Sequence, residues 1–528
     1  MSKAFGFCLY VPVILFCLST SCTPEAEKEQ ALFEQHCSSC HQLPDINSLP
    51  KSLWEQEVLP EMAARMGIRD NEYNPLEGFT FQEMEAVIKT GIYSRKRILS
   101  KKDWARIKHY ILKQAPDKLD IVQSYTSSQR INHFEAHPIS IDSVKGANYI
   151  FMRFEQEDEK LYLADIRGNI FQFDYATHQA KLLDRLGRPI SDYVQYDSVS
   201  FATSIGILNP SERSAGSIIR IEGKDKRNYR HILHRPVHSL LEDLNGDGSP
   251  ELLVSEFGHL TGKLSLFSFE DGDKLNKRVL HNDPGNTRSI ALDLNNDQRK
   301  DLLILKSQGR EGIYAYLQTG DLEFQEKELI TFSPIMGTSW FEVFDYEGDG
   351  DLDIATVQGD NADKTYVQKP YHGMRLFLNE GNLNFREAYF FPMNGATRLV
   401  VRDFDQDDDM DFAIVASFPD YENNPEASFA YLENLDSKQF KFSVNSLHDP
   451  QAGRWFLMDA GDLDGDGDED IVLSSFTYNF TPVPEFLSKK WEASYLDLLV
   501  LENQLIHKKN HKLAEQILPK QDFVELIP

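Results

Sequence analysis

Nine-residue acidic stretches recur five times in this chain. The clearest is Asp462-Leu-Asp464-Gly-Asp466-Gly-Asp-Glu-Asp470. The others place Asp243, Asn245, Asp247 and Glu251, then Asp293, Asn295, Asp297 and Asp301, then Asp345, Glu347, Asp349 and Asp353, then Asp403, Asp405, Asp407 and Asp411 at positions one, three, five and nine. Hard divalent cations take six to eight oxygen ligands, which a tight loop of alternating carboxylates supplies. Without a cation, carboxylates crowded this closely repel one another. Each loop is therefore read as a Ca²⁺ site. The competing reading is an acidic turn that binds nothing, and the copies carrying Glu347 and Asn296-Asp297-Gln298 are the weakest candidates.

An EF-hand would place a Glu at position twelve between two helices. Here position twelve is Val254, Ile304, Thr356, Ile414 or Leu473, and a β-type run such as Asp470-Ile-Val-Leu-Ser follows. Each loop is expected to join two antiparallel strands.

A second chemistry is carried by Cys37-Ser-Ser-Cys40-His41. Two thiols at this spacing and an adjacent imidazole form the attachment signature of c-type haem, the thiols binding the vinyl groups and His41 the iron. A zinc site would need further ligands, and His36 and His109 are the nearby candidates. Helical periodicity is expected over Glu27 to His36, Thr80 to Thr90 and Lys101 to Gln114, where Trp104, Ile107, Tyr110 and Ile111 recur on one face. The last segment resembles the C-terminal helix of class I cytochromes c, which packs across the N-terminal one. That resemblance implies an all-α haem domain over 22–118. Met62, Met66, Met84 and His109 are candidates for the sixth iron ligand. The run Trp54 to Met62 resembles a segment of cytochrome domains fused to repeat propellers, and on that ground Met62 is chosen.

The start of the chain reads as an export signal over 1–21: Lys3, then an apolar run from Phe5 to Leu18, then Ser19, Thr20, Ser21 and Cys22. It resembles a bacterial lipoprotein signal, which implies lipidation at Cys22 and a membrane anchor in the cell envelope, facing the periplasm or the cell surface. Ordinary cleavage by the general signal peptidase is the alternative. Of five cysteines, Cys8 and Cys17 fall in the removed segment and Cys37 and Cys40 in the haem motif. A net charge of −28 argues against nucleic acid as a partner.

These motifs need elements to hold them. The acidic loops start at 243, 293, 345, 403 and 462, one per unit of strand, loop, strand, variable loop, strand, turn, strand. Four strands per unit is a propeller blade, and a single blade needs neighbours to cover both faces. Two units without acidic loops fit upstream, at Ile139 to Leu183 and Tyr193 to Leu233, giving seven blades over 137–528 after a linker at 119–136. The fold class is thus a small all-α domain followed by an all-β propeller. The acidic units resemble FG-GAP/VCBS repeats of calcium-binding propellers over roughly 237–505, which implies structural calcium and roles in surface binding.

Five residues before the first Asp of four loops stand His238, Arg288, Trp340 and Arg398, with Arg454 a little earlier in the last unit and His372 in a long connection. At the channel mouth of a propeller these residues would suit an anionic or glycan ligand, or a redox partner protein docking by charge. No nucleophile elbow, phosphate-cradling Gly loop or HExxH is present. Taken whole, the arrangement resembles cytochrome c/FG-GAP fusion lipoproteins and implies electron transfer without bond-changing catalysis. Two alternatives remain: a propeller oxidoreductase passing substrate electrons to its own haem, and a surface glycan adhesin.

Overall fold

The computed structural model describes residues 25–69, 73–120, 125, 129–270, 274–360, 367–478 and 481–506. The expected signal segment and Cys22 lie outside them. Seven four-stranded antiparallel sheets form a ring of blades: I (149–185), II (190–233), III (236–281), IV (286–331), V (338–392), VI (396–445) and VII (455–503).

The second strands of blades III to VII read Glu251–Glu256, Asp301–Lys306, Asp353–Gln358, Asp411–Ala416 and Asp470–Ser475, and every residue of each is buried. A strand buried on both faces favours a continuous run of branched apolar residues over alternation. Leu-Leu-Val, Leu-Leu-Ile-Leu and Ile-Val-Leu supply that run. Neighbouring blades share cores, as where Phe412 and Ile414 of blade VI pack with Leu376 and Leu378 of blade V. Polar stitches tie the inner strands together: Thr203 to Ser239 at 2.6 Å, Ser255 to Ser289 at 2.8 Å, and Ser239 N donating to Asp192 at 2.7 Å.

The ring closes with a strand from the other end of the chain. Phe134–Ile139 pairs antiparallel with Leu498–Asn503 as the outer strand of blade VII. This corrects two expectations. Ile139 belongs to the closing strand, so the first blade begins at Tyr149; and the propeller begins at Phe134, before 137. The intervening segment is not a free linker. Tyr125 packs at a tilt against Phe391 with ring centroids 5.3 Å apart, Arg130 forms a β-bridge with Ser446, and Ile131 is buried. Hydrophobic pattern alone could not reveal the closure, because a strand carries no mark of which sheet it will enter.

Before the ring lies a helical segment: α1 (Glu25–Cys37), a short turn Lys51–Leu53 running through π-helical Trp54–Val58 into α2 (Leu59–Arg65), α3 (Phe81–Thr90) and α4 (Lys101–Gln114). Thr80 and Glu83 form a capping box that starts α3, and Gly91 at φ +74° ends it. Phe33 of α1 lies against Tyr110 of α4 at 5.6 Å, over a core of Trp54, Ile107 and Ile111. The segment rests on blade-connecting loops: Glu83 accepts from Ser211 Oγ and Glu212 N, Tyr371 Oη donates to Ser48 O, and Ile335 joins its core. Within the propeller region, α5 (Glu485–Glu492) lies in a blade VII connection. Among the described residues no helix is long and apolar enough to cross a membrane.

Two outcomes test this architecture. Phe134 packs edge-on against Phe404 and Tyr431; Phe134→Ala should cost about 3–5 kcal/mol in denaturant unfolding, and a loss under about 1 kcal/mol would contradict a closing role for this strand. Glu311, in the blade IV connection, accepts from Thr338 N of blade V at 2.7 Å while its Oε2 is buried without a partner, and burial pushes its carboxyl up to about 8. The folded chain then keeps a proton that the unfolded chain loses near pH 4.5, so this group's contribution is complete below that pH and disappears as pH rises towards 8. Glu311→Gln should remove that decline, raising stability relative to the parent at pH 8 more than at pH 5; equal differences at both pH values would refute a retained proton.

Candidate functional site

Each acidic loop joins the first and second strands of its blade and is shaped by its own carboxylates. The first Asp receives backbone amides from across the turn: Asp462 accepts from Gly465 N at 2.8 Å and Gly467 N at 3.0 Å, and Asp243 from Gly246 and Gly248. The turn requires left-handed backbone at positions four and six, with φ +78° and +98° at Gly465 and Gly467. Glycine adopts this without cost. Blades IV and VI place Asn296, Gln298, Gln406 and Asp408 there instead, at φ +56° to +73°.

The carboxylate at position nine has a separate task. Glu251, Asp301, Asp353, Asp411 and Asp470 each open a second strand and are buried. One oxygen accepts the amide of loop position two, from Leu244, Leu294, Tyr346, Phe404 or Leu463. In blades IV to VII the other oxygen accepts an amide at the end of the third strand, from Gln318, Asn379, Asn434 or Asn503. This residue buckles the loop to the sheet, a role invisible in its spacing.

The loops differ in how tightly they gather oxygens. Asp403, Asp405 and Asp407 of blade VI, and Asp462, Asp464 and Asp470 of blade VII, each bring carboxylate oxygens within 4.8 Å of one another; among the described residues blades III to V form no such trio. In blades III and IV position three is an asparagine, whose Nδ2 donates to Asp247 or Asp297. In blades VI and VII, Oδ1 of Asp405, Asp409 and Asp468 is buried without a hydrogen bond. Burial, then neighbouring carboxylates, pushes Asp405 up to about 6 and Asp409 up to about 7. Buried, orphaned and mutually repelling oxygens are a donor set that a hard cation satisfies.

The thiol pair lies where α1 ends. Cys37 is half-buried, Cys40 exposed, and both are free. Burial, then the adjacent Cys40, pushes the Cys37 thiol up to about 11. His41 Nδ1 lies 2.8 Å from the carbonyl oxygen of Gln42. A carbonyl only accepts, so Nδ1 is the donor, an arrangement that in the neutral imidazole leaves the lone pair on Nε2. Two thiols and an imidazole are the residue types that would hold a c-type haem. Met62 and Met66 are half-buried; Met66 packs on the helical core, whereas Met62 is not part of it. His109 faces Glu29 at 3.0 Å.

At the ring's centre is a cavity of about 430 Å³. It brings together His238, Arg288, Trp340 and Arg398 with Arg153 and Asp192. Asp192, His238, Arg288, Trp340 and Arg398 each follow the same register shift on consecutive inner strands, whereas Arg153 lies two residues beyond it on its own strand. The Trp340 ring has the Arg288 and Arg398 guanidinium groups at 3.9 and 3.8 Å from its centroid. Arg288 also pairs with Glu342, to which Trp340 Nε1 donates at 2.8 Å. Arg153 pairs with Asp192 at 3.1 Å. Burial, reinforced by Arg153, Arg288 and Arg398, keeps His238 neutral well below the usual imidazole range.

Two other residues expected on this face are elsewhere. Arg454 is buried and donates to Tyr478 O at 3.0 Å and to Thr481 Oγ1 at 2.6 Å. His372 is buried beneath its loop, with neither ring nitrogen hydrogen-bonded. The carboxylates Glu342 and Asp459, which complete the channel, were missed; their positions in the inner strand, three residues before the loop, were the available signal.

Residues 293–356 match the model of the FG-GAP-like repeat, spanning the acidic loops of blades IV and V. No curated protein matches the chain. Among solved structures, the WD40 domain of SCAP from fission yeast is similar at 10% identity and a TM-score of 0.37, covering 72% of this chain and 90% of that one. The Cps50 (Swd1) β-propeller domain of Myceliophteria thermophila is similar at 11% identity and 0.41, over 64% and 96%. The Pan2 WD40 domain of Neurospora crassa is similar at 10% and 0.38, over 65% and 94%. The chain thus carries an FG-GAP-like repeat within a seven-bladed β-propeller.

Proposed function

We propose that this is an exported electron-transfer protein that carries haem c on Cys37, Cys40 and His41, is tethered through lipid on Cys22, and uses a calcium-braced propeller to bind a ligand or a redox partner. The observation that supports the haem reading is the 2.8 Å contact of His41 Nδ1 with the Gln42 carbonyl, which in the neutral imidazole directs the lone pair to Nε2. Haem bound there supplies a one-electron couple. The chain's own contribution is to fix it, through two thiol attachments at the end of α1 and one oriented imidazole. Met62, half-buried and outside the helical core, is the residue proposed to supply a second iron ligand. Through Glu83, Ser48 and Ile335, the helical segment stands on the propeller loops, so a molecule bound to the propeller meets the redox segment without a long tether.

Calcium is the proposed ion of the acidic loops, first in blades VI and VII, where three carboxylates converge. Bound there, it would offset charge on a strongly acidic chain and lock each first hairpin. The propeller's ligand side is the central channel, where cationic and aromatic residues meet inside that acidic molecule.

Two measurements bear on this. Replacing Cys37 and Cys40 together by Ala should abolish covalent haem, seen as loss of haem stain on a denaturing gel, with far-ultraviolet β signal intact; an undiminished stain would sink the attachment. Chelation of the full protein should lower its melting temperature, because an ion at one hundred times its Kd contributes about 2.7 kcal/mol to the folded state. An Asp462→Asn, Asp464→Asn double variant should show a smaller chelation shift, and no shift in the parent would refute occupied sites.

A further inference from the structure

The channel's charges are almost all accounted for. Asp192 and Asp459 each spend both oxygens on backbone amides, from Tyr193, Ser239, Ala460 and Phe154. Glu342 is taken by Arg288 and Trp340, Arg153 by Asp192, and Arg402 faces Glu469 and the Val401 carbonyl. Among the described residues the Arg398 guanidinium has no side-chain hydrogen bond and no ion pair within 4 Å; it lies over the face of Trp340 and feels Glu342, Asp192 and Asp459 only through space. His238 Nδ1 is likewise buried without a partner. A guanidinium with five unused donors and a buried imidazole nitrogen line one cavity of about 430 Å³, a volume suited to a small molecule.

We propose that the central channel binds a small monocarboxylate, its carboxylate seated on Arg398 and hydrogen-bonded by His238. This rests on the reading that the propeller takes a ligand, and it names the ligand's chemistry. Three observations select it. The Arg398 fork matches a carboxylate through two parallel N–H···O bonds. Two guanidinium groups within 4 Å of the Trp340 centroid leave no room for both on one face, so they cover both faces and remove the stacking platform a neutral sugar would use. Asp192, Glu342 and Asp459 stand in the same channel, so a second negative charge on the ligand, as on phosphate, would meet repulsion.

The test titrates the full protein calorimetrically at low ionic strength with acetate, D-gluconate, D-glucuronate, D-glucose and inorganic phosphate. At least one monocarboxylate should bind more than tenfold tighter than glucose or phosphate. Arg398→Gln should weaken it by tenfold or more and His238→Gln by several-fold, while Arg278→Gln, on an outer strand, leaves it unchanged. If Arg398→Gln does not fold, the His238 variant alone decides. Preference for phosphate, or full affinity in a folded Arg398→Gln protein or, failing that, in His238→Gln, overturns the site. Binding of glucose alone overturns the carboxylate and leaves the ligand-binding reading intact; binding of none of the five overturns the small-molecule site and leaves only the partner-binding reading.

Discussion

A sheet that is apolar on both faces cannot stand alone, and the rest of this molecule follows from that. The second strands of five blades are buried along their whole length, so each blade needs a neighbour on either side. An open row would leave two such faces in water. Closing the row into a ring removes both ends, and borrowing Phe134–Ile139 from the start of the chain for the last blade ties the closure covalently. Burying a large aromatic side chain contributes roughly 1.5–3 kcal/mol, and Phe134 joins the core that blades VI and VII share.

The ring imposes the acidic loops' chemistry. The first and second strands of a blade meet at one edge, and the turn between them must be tight. Its backbone amides converge on the first carboxylate, while the ninth is drawn inward to hold the third strand. Several carboxylates are thereby forced together, and in blades VI and VII some of their oxygens are buried without partners. Where an asparagine replaces the third acid, its amide donates to the fifth and relieves part of the repulsion with no ion. The five loops are therefore graded, with the strongest demand for a cation in the last two blades.

The same ring creates the channel. Seven inner strands surround the channel, and in five of them a residue at one register position lines it. Most cations and acids in the channel neutralise each other in close pairs, but Arg398 lies over Trp340 and, among the described residues, has no carboxylate in direct contact. An unpaired cation at depth costs solvation. A site that tolerates this in the free protein gains the pairing when a ligand arrives, which makes recognition charge-selective.

Much of this was legible in the residue order, and the division follows physical range. Local signals were readable: alternating carboxylates and Gly246 or Gly465 marked the turns, the apolar runs after them marked buried strands, the period marked blades, and Cys37-Ser-Ser-Cys40-His41 marked a pair of thiols beside an imidazole. The common offset of His238, Arg288, Trp340 and Arg398 was readable because a repeat converts sequence register into spatial register. What the order could not decide was every contact between distant segments. Phe134–Ile139 looks like a beginning and becomes the outer edge of the last blade; Arg454 looks like a channel residue and is consumed by Tyr478 and Thr481. The ninth carboxylate looks like an ion ligand and also serves as a buckle to a strand more than fifteen residues away. Those outcomes depend on which groups the closed ring brings within hydrogen-bonding distance, and only the tertiary structure settles that.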